Sequence, residues 1–106
     1  MTSFGEAITL ARRKKLLSQK ELAARIKKDD GESISAQYLN DIERGRRNAP
    51  PEPLITQLAS ALDLDRDHLC LLAGTIPEDL LVPILQADPQ TVIEAWRLFR
   101  RKIKGK

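Results

Sequence analysis

The side chains that catalysis or metal binding would use are almost absent from this sequence. One histidine, His68, and one cysteine, Cys70, stand two positions apart, and with no further soft ligand near them they cannot complete a tetrahedral metal site. No glycine-rich phosphate loop and no nucleophile paired with a base is present, so neither an enzyme nor a bound cofactor is expected. The lone cysteine excludes an internal disulfide, which fits a reducing cytoplasm. What the chain does carry is charge, placed unevenly.

Residues 1–50 hold eleven Lys/Arg against seven Asp/Glu, residues 51–95 hold Arg66 alone against eight acids, and residues 96–106 hold six bases and no acid. A basic front, an acidic middle and a basic tail suggest that a polyanion meets one face only. Arg12-Arg13-Lys14-Lys15 is one basic run. Arg100-Arg101-Lys102 with Lys104 and Lys106 forms another, either a second DNA arm or a solubilising tail.

Those charges need a scaffold. At 106 residues, 42% hydrophobic and 31% charged, the chain is long enough for one modest core and too apolar for disorder. Only Phe4, Tyr38, Trp96 and Phe99 are aromatic, so the core is built from Leu, Ile and Ala, the composition of short packed helices. No apolar run spans a bilayer, and Met1–Glu6 lacks the basic and apolar regions of a secretory leader, so a cytoplasmic protein is expected.

The spacing of Phe4, Ile8 and Ala11, with Ser3 and Glu6 as a capping box, predicts a first helix over about 4–15. Ser18 and Glu21 form a second capping box, opening a helix that turns Leu22, Ala23 and Ile26 inward. Lys28–Glu32 has turn chemistry and reads as a loop. Ser33 or Ser35 caps a third helix, with Leu39 and Ile42 inward and Gly45 ending it. Leu54, Ile55, Leu58, Ala59 and Leu62 mark a fourth, and Asp65 caps a fifth that Gly74 stops. Beyond it, Pro77 opens a sixth that Pro83 should kink or end. Asp88-Pro89 opens a seventh, on which Val92, Trp96, Phe99 and Ile103 make one narrow stripe. The expected fold is all-α: a five-helix domain over 1–74 and a helical extension over 75–106.

Two short helices joined by a turn, the second exposed on one face, fit the major groove of DNA. Leu17-Ser18-Gln19-Lys20-Glu21-Leu22-Ala23, followed by Tyr38-Leu39-Asn40-Asp41-Ile42-Glu43-Arg44-Gly45-Arg46-Arg47-Asn48, resembles the phage-repressor-type, or XRE, helix-turn-helix family. Leu58-Ala59-Ser60-Ala61-Leu62 and Leu69 look like that family's fourth and fifth helices. The resemblance spans about residues 4–74.

The resemblance implies that Ser35, Ala36, Gln37, Tyr38, Asn40 and Asp41 read bases. Gln37 is the first choice for bidentate contact to adenine, Asn40 the second, and Ala36 is small enough to meet a thymine methyl. Ser18, Gln19 and Lys20 at the start of the second helix, with Arg44, Arg46, Arg47 and Asn48 after the third, would hold phosphates. Arg12 and Glu43 match positions that commonly form an ion pair in the family. Three features depart from its pattern: Leu16 replaces a usual glycine, Lys27–Ser33 replaces a tight glycine turn with an insertion of about six residues, and an extra residue falls before Pro50-Pro51.

Two functional readings stay open. One is a bacterial or phage transcriptional repressor acting at the nucleoid, binding a palindromic operator as a homodimer, with Val92, Trp96, Phe99 and Ile103 either in the dimer seam or in the chain's own core. The other is a protein-interaction module, antitoxin-like or anti-regulator, that uses residues 75–106 to hold a partner protein.

Overall fold

The computed structural model describes residues 1–105; Lys106, the last base of the tail, lies outside them. Among the described residues there are seven helices and no β-strand: α1 (Phe4–Lys14), α2 (Gln19–Ala24), α3 (Ala36–Glu43), α4 (Glu52–Leu62), α5 (Arg66–Leu72), α6 (Glu78–Gln86) and α7 (Pro89–Lys104). The chain is all-α and divides into two compact units, Met1–Ile76 and the segment from Pro77 onward.

In the first unit, Ser3, Ser18, Ser35 and Asp65 each accept a backbone N–H three residues on, and so satisfy donors that the first turns of α1, α2, α3 and α5 leave open. The reciprocal bond, from the Ser18 N–H to the Glu21 carboxylate, completes a capping box at Ser18. α1 packs on α3, α4 and α5, while α2 packs on α3 and α4 on α5. Ile8, Leu22, Ile26, Leu39, Ile55, Leu58, Leu69 and Cys70 are fully buried between them. Cys70 is a core residue here.

Leu16 ends α1 in the left-handed conformation, φ 58°. Its N–H donates to the carbonyl of Arg13 and that of Leu17 to the carbonyl of Arg12, the paired bonds of a Schellman ending. The glycine usual in the family is thus replaced without loss of the turn. Leu16 meets the strain of a β-carbon in that region while its side chain stays 89% exposed and packs on little. Leu16→Gly should therefore raise stability by about 1 kcal/mol, or roughly 5 °C in Tm. A thermal melt no higher than wild type would mean that the leucine repays its strain.

Lys27–Ser33 is more ordered than a plain loop. Lys27 and Ser33 form an isolated antiparallel bridge, and the N–H of Ile34 donates to the carbonyl of Ile26 at 2.9 Å. Gln57 of α4 clasps the base of this small hairpin, accepting from Lys27 N at 2.7 Å and donating to Lys27 O at 2.8 Å. Ile26 and Ile34 are both buried. The extra residues project outward while the chain re-enters the core beside its exit, so α2 and α3 still pack directly.

In the second unit, α6 runs three residues past Pro83 to Gln86, so the proline does not end it. Neither α6 nor α7 buries any residue. Val92 is half-buried, whereas Trp96, Phe99 and Ile103 are exposed, with the two rings edge-to-face and their centroids 5.9 Å apart. Within this unit taken by itself, the three larger side chains of the stripe are not packed into a core.

Candidate nucleic-acid interface

The interface is built around a polar clamp at the end of α3. Glu43, the last residue of α3, turns back toward α1 and α2. Its carboxylate accepts from Arg12 Nε at 2.8 Å, Arg12 NH2 at 2.9 Å, Thr9 Oγ1 at 3.1 Å and Gln19 Nε2 at 3.1 Å. The Glu43 and Arg12 side chains are only 4% and 11% exposed. Arg12 spends a further N–H on the carbonyl of Leu17, just before α2. Desolvation pushes the Glu43 carboxyl up, but hydrogen bonds from Arg12, Gln19 and Thr9 together outweigh it and hold the group below the ordinary carboxylate range. The same bond holds Arg12 above its usual value. The pair fixes α3 against α1 and α2 and so sets its angle.

The structure brings the other sequence-predicted residues into three groups. Gln37 and Asp41 lie along the outer side of α3, Gln37 exposed and Asp41 half-exposed, and Gln37 Nε2 donates to Asp41 Oδ1 at 3.0 Å; the exposed Ser35 stands before the helix as its cap, its hydroxyl accepting from Tyr38 N. Ala36 sits at the same helix start, half-exposed. Asn40 lies toward α2, where its Oδ1 accepts from Gln19 Nε2 at 3.1 Å and Arg44 Nε at 3.2 Å. Gln19 therefore stitches α2 to α3, with its side-chain amide nitrogen on Asn40 and Glu43, while Ser18 is taken up by the helix cap and Lys20 is exposed. Tyr38 rests half-buried against the core and carries the Arg47 guanidinium 5.4 Å above its ring.

Gly45 closes α3 at φ 73°, with the N–H of Gly45 on the carbonyl of Ile42 and that of Arg46 on the carbonyl of Asp41. This left-handed stop turns the chain so that Arg44, Arg46, Arg47 and Asn48 are all exposed after the helix. Between this turn and the hairpin, Lys28, Ser33, Ser35, Tyr38, Arg47 and Pro51 line an open groove beside the start of α3.

Sequence reasoning missed three residues of this assembly. Thr9 shares a face of α1 with Arg12, so its position was readable once the ion pair was assigned. Gln57 bonds across 30 residues and leaves no local signal. Gly5 lies under the end of α3, where a β-carbon would stand 2.5 Å from Ile42 O and 2.6 Å from Glu43 O.

Among the described residues no three His, Cys, Asp or Glu side chains cluster as a metal site would require, and no helix is long and apolar enough to cross a membrane. No curated protein and no solved structure matches the chain significantly. A helix-turn-helix family model matches residues 8–69, from the middle of α1 into α5 and thus through the clamp, α3 and the basic turn. The match covers more than half of the chain, which therefore belongs to the XRE-type helix-turn-helix family of DNA-binding transcription regulators.

Proposed function

We propose that the protein is a sequence-specific repressor that binds a palindromic operator as a homodimer, acting in the cytoplasm on a bacterial or phage chromosome. The observation that carries this reading is the open outer face of α3, with Gln37 and Asp41 at its centre and the exposed Arg44, Arg46 and Arg47 just beyond its end. With one amide N–H on Asp41, Gln37 keeps its second N–H and its oxygen for the paired acceptor and donor that adenine offers in the major groove. Ala36, Tyr38 and Asn40 would border that contact. The exposed Lys20 and the backbone N–H groups at the start of α2, where the Ser18 and Gln19 side chains are already engaged, and the turn after α3, with Arg44, Arg46, Arg47 and Asn48, would bind phosphates on either side. A single helix-turn-helix selects a genomic site poorly, so two copies on two half-sites are the economical solution, joined through Val92, Trp96, Phe99 and Ile103.

Gln37→Ala should cost about 1–3 kcal/mol on the selected operator and little on random duplex DNA. Arg47→Ala should weaken both about equally and lower the salt slope by about one. Titrations by fluorescence anisotropy at several salt concentrations check both. Equal losses for Gln37→Ala on the two DNAs would move that residue to the backbone and undo the base-reading assignment.

A second reading is favoured by the exposed leucines of α6, Leu80, Leu81 and Leu85: the extension holds a partner protein and DNA is secondary. It calls for weak, salt-insensitive binding to duplex DNA, where the first demands steep salt dependence.

A further inference from the structure

We propose that α7 is a self-complementary seam through which two copies of the chain pair antiparallel, each Val92 facing the other copy's Ile103 and each Trp96 the other's Phe99. This deepens the dimer reading above and rests on it, but not on the base contacts assigned to α3.

The spacing of the stripe supplies the symmetry. Val92, Trp96, Phe99 and Ile103 are four, three and four residues apart, the heptad interval that keeps one line of side chains facing a partner helix. The interval reads the same in both directions. A two-fold axis crossing the helix between Arg97 and Leu98 therefore carries Val92 onto Ile103 and Trp96 onto Phe99, as an isologous interface requires.

Within its own unit the stripe is left largely open. Trp96, Phe99 and Ile103 are 52%, 51% and 69% exposed, and monomers rarely leave such a contiguous apolar patch open. At those exposures α7 offers on the order of 400 Å² per copy, about half of what one side of a standard interface buries.

Charge chooses the direction. Residues 88–95 carry Asp88 and Glu94 and no base, while residues 96–104 carry Arg97, Arg100, Arg101, Lys102 and Lys104 and no acid. A parallel pair would press the two cationic halves together with their helix dipoles aligned. An antiparallel pair sets each cationic half beside the other copy's acidic half and opposes the dipoles. At the flanking heptad positions it places Arg100 beside the other copy's Ile93, whose aliphatic surface suits the arginine stem, and Lys102 beside the other copy's Ala95. No like charges then meet across the seam.

The test uses the full chain carrying Val92→Cys, Ile103→Cys, or both, oxidised mildly and run on non-reducing gels. Within one helix these positions are about 16 Å apart, beyond disulfide reach, so any crosslink joins two copies. The native Cys70 is buried and serves as the uncrosslinked background. The double variant should become mostly covalent dimer, at least tenfold more than either single variant or wild type. Trp96→Ala with Phe99→Ala should weaken dimerisation at least 100-fold by light scattering, with helix content by circular dichroism unchanged. Self-crosslinking of Val92→Cys alone would show a parallel seam and overturn the proposal. So would the absence of any crosslink, or a wild-type monomer. A monomer that still prefers its operator removes the seam and leaves the base-reading assignment standing. A crosslinked dimer without sequence preference on DNA does the reverse.

Discussion

Replacing Arg12 by alanine should lower the stability of the chain by about 3–5 kcal/mol, a fall in Tm on the order of 15 °C or more. The change strands the Glu43 carboxylate, whose side chain is 4% exposed, with only Thr9 and Gln19 as donors. A buried charge without its counter-ion is among the few surface-independent causes of losses this large. The pair itself need not be a strong net stabiliser, because both ions were desolvated to form it. Arg12→Met combined with Glu43→Met should therefore recover most of the loss, since it removes both charges and keeps apolar volume. DNA affinity of the double variant should stay below wild type, because the hydrogen bonds that angle α3 against α1 and α2 are gone.

The same carboxylate sets an acid limit. Its pKa is lower in the folded chain than in the unfolded one, so its contribution to stability is fully present above the unfolded carboxyl range, about 4.3, and is lost as pH falls through the lower folded value. Wild type should lose its advantage over Arg12→Ala, and part of its own stability, as pH falls below the ordinary carboxyl range and through the lower folded value. The Met/Met variant lacks that contribution and should fall less steeply. Thermal melts of the three proteins at neutral and acid pH check this. A Tm unmoved by Arg12→Ala at pH 7 would show that the clamp does not hold the helices.

Gly5→Ala should destabilise the chain by about 2–3 kcal/mol, against the gain of up to about 1 kcal/mol that helix propensity alone assigns to this change. Gly5 lies in the first turn of α1, and the space its missing side chain leaves is filled by the carbonyl oxygens of Ile42 and Glu43. A β-carbon there would stand 2.5 Å and 2.6 Å from those atoms, which are backbone and cannot swing aside. The start of α1 would have to lift off the end of α3, stretching the bonds from Thr9 and Arg12 to Glu43 as it does so. Operator affinity should fall along with Tm, although Gly5 faces no DNA. A Gly5→Ala protein as stable as wild type would mean that α1 and α3 approach less closely than the structure places them.

Much of the helix-turn-helix was legible because its signals are local. A serine before a helical run, a glycine after it and an apolar residue every third or fourth position act through bonds within one turn, so the starts of α1, α2, α3 and α5 and the stop at Gly45 could be read along the chain. The Arg12–Glu43 pair was reached through family resemblance alone, since 31 residues separate the partners. Tertiary structure decided what depends on atoms distant in sequence. It closed Lys27–Ser33 into a hairpin because Gln57 of α4 clasps its base. It turned the Gln19 amide onto Asn40 and Glu43, because α2 and α3 pack closely enough for the side chain to reach. It made Gly5 a contact point, where its sequence neighbours mark only a helix. The stripe on α7 is the plainest division between the two. Its periodicity fixes which side chains share a face, and only the fold shows that nothing else in its unit covers them: amphipathicity is a property of one helix, whereas burial needs a second surface.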